Sequence, residues 1–265
     1  MSIDPRLVNV LGLQVVSGGA PALGAEAPAP HIAFQTSTLE ALVDGTWDGD
    51  LSIGQLRSHG SLGLGTFDSL DGEMVLVDGE CYRATSHGTI VRVGEAEGTP
   101  FAVVTPFAPT VALKVGDELD YGRLLWTASA AADNFGGAYA IRFDGMLADV
   151  QARSVPLQMK PYPTMEEIAE AQCHFTIGPT QGTLIGFWFP SWVNGIQLPG
   201  FHMHAITADR RIGGHVLQAR VGPGTLRLDP LFGLDVHLPR HVELPAGVLD
   251  GERANIVARL EAGGS

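Results

Sequence analysis

Three histidines fall within a short stretch, in Gly200-Phe201-His202-Met203-His204 and Gly213-Gly214-His215. Side chains alternate along a strand, so His202 and His204 share one face while Phe201 and Met203 take the other. If residues 208–211 form a hairpin loop, Thr207 pairs with Ile212 and His204 stands opposite His215. Opposed side chains have Cβ atoms about 5 Å apart, so all three imidazoles converge on one face of a two-stranded ribbon. Three imidazoles with open positions remaining suit a catalytic Zn²⁺, at roughly 2.0 Å per bond. The register decides the matter, because a slip of one residue turns His215 to the other face. An isolated histidine is more often structural than ligating; three on strands that pair favour the metal. The six others, His31, His59, His87, His174, His237 and His241, lack this spacing and read as structural or surface residues. Cupins also carry His-x-His on a strand, but that motif wants a glutamate four or five residues on, where this chain has Ala208 and Asp209. Cys81 and Cys173 lie far apart and form neither a thiolate zinc site nor a disulfide framework.

A candidate acid lies far upstream. Glu73 opens the run Glu73-Met74-Val75-Leu76-Val77 and shares a face with Val75 and Val77. A glutamate there is either buried with a partner or exposed at the Asp71-Gly72 turn, and the residues alone leave those readings even.

The elements that must carry these groups are mostly strands. Gly and Pro total 51 residues, and long helical patterns are few. Asp78-Gly79 between two alternating runs predicts a β-hairpin, and Asp144-Gly145 after Tyr139–Phe143 predicts a second. Further strands are expected at 101–105, 111–115, 183–189, 200–207, 212–220, 225–228 and 234–238. Ser37-Thr38 and Ser52 with Gln55 predict short capped helices. Thr164-Met165-Glu166-Glu167 is a capping box that opens another, and Asp250 can cap a last one to about Leu260. Residues 128–137 are Ala/Gly-rich and read as a loose loop. The expected organisation is α+β: a flexible segment at 1–30, a β-rich subdomain at 31–160, and a metal-binding β-rich subdomain at 161–265, with mixed or antiparallel sheets and a few short helices.

Composition narrows the function. The 265 residues are 45% hydrophobic and 17% charged, which excludes a disordered chain. A net charge of −13 with no basic run excludes nucleic acid and anionic membrane surfaces as natural partners. No apolar run approaches the ~20 residues of a membrane helix. Met1–Arg6 makes a weak start for a secretory signal, so a cytoplasmic protein is expected.

The chain resembles the α-acetolactate decarboxylases. The resemblance is carried in order by Phe34-Gln35-Thr36-Ser37-Thr38, Asp48-Gly49-Asp50, His59-Gly60, Gly63-Leu64-Gly65-Thr66-Phe67, Leu70-Asp71-Gly72-Glu73-Met74, Tyr139-Ala140-Ile141-Arg142, Lys160-Pro161-Tyr162-Pro163, Gly182–Phe187, and both histidine runs. It implies a metal-dependent carboxy-lyase that converts 2-acetolactate to acetoin and CO₂, with Zn²⁺ stabilising an enediolate intermediate. It also implies His202, His204 and His215 as metal ligands, Glu73 and Glu261 completing the site, Arg153 as a catalytic residue, and a homodimer. Arg142 is the rival arginine. Thr66 is a candidate to hydrogen-bond the substrate. Glu261 follows the apolar stripe Ile256, Val257 and Leu260 of the expected last helix, at the edge of that stripe. Two other functions fit the same residues: a zinc-hydroxide hydrolase with Glu73 as base, and a non-catalytic metal or small-ligand module. The second would need none of Glu73, Arg153 and Glu261.

Overall fold

The computed structural model describes residues 13–16, 29–132 and 137–240. In chain order its strands are β1 (Leu13–Val16), β2 (Ile32–Thr36), β3 (Leu51–Ser52), β4 (Leu62–Thr66), β5 (Glu73–Val77), β6 (Glu80–Ala84), β7 (Ile90–Arg92), β8 (Gly98–Thr99), β9 (Ala102–Thr105), β10 (Val111–Val115), β11 (Leu119–Asp120), β12 (Tyr139–Ser154), β13 (Cys173–Ile177), β14 (Thr180–Phe189), β15 (Gly200–Thr207), β16 (Gly213–Pro230) and β17 (Gly233–His237). The helices are short: α1 (Leu39–Val43), α2 (Ile53–Arg57), α3 (Tyr121–Ala131) and α4 (Met165–Glu170). The expected α+β class is the observed one.

Two sheets carry the fold. The first runs β1-β17-β2-β9-β4-β5-β6-β7. The second runs β10-β16-β15-β14-β12-β13, with β11 on β16 and a further β16–β12 pairing. Because β12 pairs with both β14 and β16, and β15 joins those two, the pairing closes a ring of four strands.

The core follows from alternation along the first sheet's strands. Val75 and Val77 point with Leu62, Leu64 and Val103 toward Ile185, Phe187 and Ile206 of the second sheet. Met74 and Leu76 point the other way, onto Ile53 and Leu56 of α2. Glu73 therefore faces the second sheet. That sheet's remaining apolar face packs on Leu124 and Ala128 of α3.

Local signals explain most elements. Ser52 and Thr164 each close a full capping box, on α2 and α4. Asp78 and Gly79 both have positive φ (55° and 76°), as a two-residue hairpin turn requires. The Asp144-Gly145 turn is not formed. Both residues lie inside the 16-residue β12, flanked by β14 on one side and β16 on the other. Gly145 serves close approach instead, since a Cβ there would stand 2.5 Å from the Pro223 carbonyl oxygen. The strands expected at 212–220 and 225–228 are one strand, β16, which begins at Gly213. The stretch read as loose from residue 128 begins inside α3, whose N-cap Asp120 accepts from the Arg123 N–H at 2.8 Å.

The sheets divide the chain differently from a boundary at residue 160. β10, β11 and β12 belong to the second sheet, and β17 returns to the first, parallel to β2. Within residues 1–30, Leu13–Val16 pair in parallel with β17. The expected C-terminal helix, Glu261 and His241 lie outside the described residues. Among the described residues no helix is long and apolar enough to cross a membrane.

Candidate metal centre

The expected register is the one observed. Thr207 and Ile212 flank the hairpin loop, and the Thr207 N–H donates to the Ile212 carbonyl at 2.9 Å. His204 stands opposite His215, and His215 stands opposite Arg153, so the three occupy one row across β15, β16 and β12. His202 lies one pleat along β15 on the same face. One nitrogen from each of His202, His204 and His215 lies within 4.8 Å of the other two. His204 and His215 are buried, and His202 lines a cavity.

The ring nitrogens are set by their surroundings. His204 Nδ1 lies 2.7 Å from the Met74 carbonyl oxygen. A carbonyl only accepts, so Nδ1 carries the proton and Nε2 offers its lone pair to the centre. Burial, reinforced by the Arg153 charge, holds the His202 pKa down at about 3. Burial and the neighbouring His202 push the His204 pKa well below the ordinary histidine value. Neutral imidazoles are the form a metal requires.

Glu73 reaches this row from the first sheet. Its Oε1 accepts from Arg153 Nη1 at 2.6 Å, and its Oε2 lies 3.5 Å from His204 Nε2. Both partners of the ion pair are buried, so the even choice for Glu73 resolves to the buried reading. Beside the pair, the Ser154 hydroxyl donates to the Ala84 carbonyl at 3.0 Å. Ala84 is the residue opposite Glu73, so this bond ties the two sheets together at the site. Thr66 sits across from Glu73 on β4 and donates its hydroxyl hydrogen to the Gly72 carbonyl at 2.8 Å. Only its lone pairs remain for a ligand. Arg142 lies elsewhere, bonded to Asp144 and Asp78, and is not among the residues lining the cavity.

The cavity encloses about 90 Å³. Its polar end is Thr66, Glu73, Arg153 and His202; its walls are apolar, from Leu39, Leu42 and Val43 of α1, Met165 and Ile168 of α4, and Leu198. Sequence reasoning missed these walls, the buried Gln197 that lines the cavity with them, and the buried Gln35 behind it. Gln35 was visible only as part of the Phe34–Thr38 run.

Residues 33–249 match the family model described as alpha-acetolactate decarboxylase. The chain belongs to that family. It is 37% identical to the alpha-acetolactate decarboxylase of Brevibacillus brevis over 219 residues, which is 83% of this chain and 77% of the relative. It is 39% identical to the alpha-acetolactate decarboxylase of Methylococcus capsulatus over 79% of this chain and 80% of the relative. The crystal structure of alpha-acetolactate decarboxylase from Bacillus subtilis strain 168 superposes with a TM-score of 0.83 at 32% identity, covering 88% of this chain and all of that one. For an alpha-acetolactate decarboxylase family member, the matched region contains the histidine row, the Glu73–Arg153 pair and the cavity walls.

Proposed function

We propose that this chain decarboxylates 2-acetolactate to acetoin and CO₂, at a Zn²⁺ held by His202, His204 and His215. One observation carries the reading: three imidazoles converge beside a buried Glu–Arg pair at the polar end of an apolar cavity. The donor set suits the metal, because three nitrogens without thiolates leave a divalent ion its positive charge. When bound, Zn²⁺ supplies Lewis acidity to stabilise the negative charge that develops as CO₂ departs.

The chain's own groups do the rest. The bond to the carboxylate breaks, its electron pair stays on the carbon skeleton, and one proton must return to that carbon. Arg153 is the cationic partner of the buried pair. Glu73 fixes its guanidinium at the polar end of the cavity, where it stabilises charge as it forms. We assign proton return to this end of the cavity. Thr66 accepts from the substrate hydroxyl. The apolar walls exclude water and favour conversion of a charged carboxylate into neutral CO₂. Glu261 is assigned to the same site from the family resemblance. Deleting 261–265 should then abolish most activity with the metal retained, whereas deleting 262–265 should have little effect. Equal activity in both truncations rejects that role. The resemblance is also the ground for reading the enzyme as a homodimer, and light scattering tests the oligomeric state.

The deciding assay is acetoin formation from racemic acetolactate, with and without chelator. Activity lost on chelation and restored by Zn²⁺ is expected. Acetoin formation by fully metal-free protein overturns the metal's role, and no acetoin from metal-loaded protein overturns the reaction.

A further inference from the structure

One wall of the cavity is held by side-chain amides. Gln35 and Gln197 are both buried, at 0% and 1% exposure. Gln35 Nε2 donates to the Ser37 carbonyl at 2.8 Å and to the Ile196 carbonyl at 2.7 Å. Gln35 Oε1 accepts from Gln197 Nε2 at 3.0 Å, and Gln197 Oε1 accepts from the Leu198 N–H at 2.8 Å. The same loop receives the start of α1: the Leu39 N–H donates to the Ile196 carbonyl at 2.9 Å and the Glu40 N–H to the Gly195 carbonyl at 3.1 Å. These are first-turn N–H groups, which no helix can satisfy internally.

The bonds make β2, α1 and residues 194–198 one unit. It presents Leu39, Leu42, Gln197 and Leu198 to the cavity. A five-residue helix cannot hold its own position by backbone bonding. Apolar contacts are non-directional and would let it slide. Buried amides with directional partners allow one geometry only. None of the reacting groups assigned above needs either glutamine.

We propose that Gln35 and Gln197 are positioning residues that fix the width of the cavity and thereby set which 2-alkyl substituent the site accepts. The proposal rests on the decarboxylase reading for its substrate class. A fitted apolar cavity separates substrates differing by one methylene by about tenfold or more. A wall that can move loses that discrimination.

The test compares acetolactate with its homologue carrying a 2-ethyl in place of the 2-methyl group, in metal-loaded wild type, Gln197→Met, Gln35→Glu and Leu198→Ala. Gln197→Met keeps the length and removes the amide. Gln35→Glu keeps an acceptor for Gln197 and removes both donors. Leu198→Ala widens the wall directly. All three should lower the methyl-over-ethyl ratio of kcat/KM at least about fivefold, half of the ~tenfold expected per methylene, with zinc content unchanged. A loss of stability alone would not move that ratio. A soluble, zinc-loaded glutamine variant with the wild-type ratio overturns the proposal. If neither glutamine variant is soluble, a wild-type ratio in Leu198→Ala overturns it. The reduced analogues, with a hydroxyl in place of the ketone, provide a parallel binding ratio by calorimetry. If wild type makes no acetoin, the reaction reading fails while this binding ratio still judges the wall.

Discussion

Arg153 and Glu73 stand 80 positions apart in the chain and 2.6 Å apart in space. A planar guanidinium and a point-charge ammonium are different objects in such a confined pair. Arg153→Lys should therefore lower kcat at least about 100-fold, the scale of a misplaced catalytic group, with metal content unchanged. Near-wild-type turnover would move the role to another residue. A second expectation concerns His59, which stacks on Phe34 with ring centroids 3.6 Å apart. Burial, and then the charge of His237, lower its pKa below the usual 6.5. As pH falls past 6.5 the unfolded chain takes up this proton before the folded one does, so the contribution is intact above that pH and is lost below it. Denaturation midpoints should drop between pH 7 and pH 5, less steeply in His59→Gln; identical slopes would refute the assignment. At this scale the histidine row was legible because strand alternation and one hairpin loop determine it. The fate of Glu73 was not, because its partner is distant in sequence and only the docking of two sheets brings the pair together.

The β4–β5 hairpin delivers Thr66 and Glu73 as a facing pair. Its turn depends on Gly72, which has φ +81° and would place a Cβ 2.3 Å from the Ala84 carbonyl oxygen. That same carbonyl receives the Ser154 hydroxyl. Left-handed strain and the clash together should cost Gly72→Ala at least about 2 kcal/mol. A thermal melt would register this, and metal-loaded activity should fall with it; an unchanged melting temperature would show that the turn can relax. Two identical dipeptides show how far local signals reach. Asp78-Gly79 makes its turn because the strands on either side pair with each other. Asp144-Gly145 does not, because β14 and β16 already flank β12, and the Asp144 carboxylate is bonded by Arg142, Arg227 and Thr183. Turn propensity is weak against two complete ladders. The capping boxes of α2 and α4 were readable because both partners lie within four residues.

For the whole molecule, the class was legible and the partition between sheets was not. Parallel pairing between distant segments leaves no local mark, and β17 beside β2 is such a pairing. The joint between sheets is also held at Asp229 on β16, which is fully buried and bonded to His31 Nδ1 at 2.6 Å and to the Ala108 N–H at 2.8 Å. Residues 31–160 expressed alone lack β17 and contain β12 without the strands that flank it. That fragment should be unfolded, with amide resonances collapsed into the random-coil range; a dispersed spectrum would show that the first sheet closes without its late strand. The late strand also bears on synthesis. Thr36 and Gly233 are 197 residues apart. At roughly 5–20 residues per second, a ribosome needs ~10–40 s to travel between them. Throughout that interval the nascent β2 has an unoccupied edge where β17 will later bind, an open template for any passing strand. That edge stays open to mispairing until the strand that fills it has emerged.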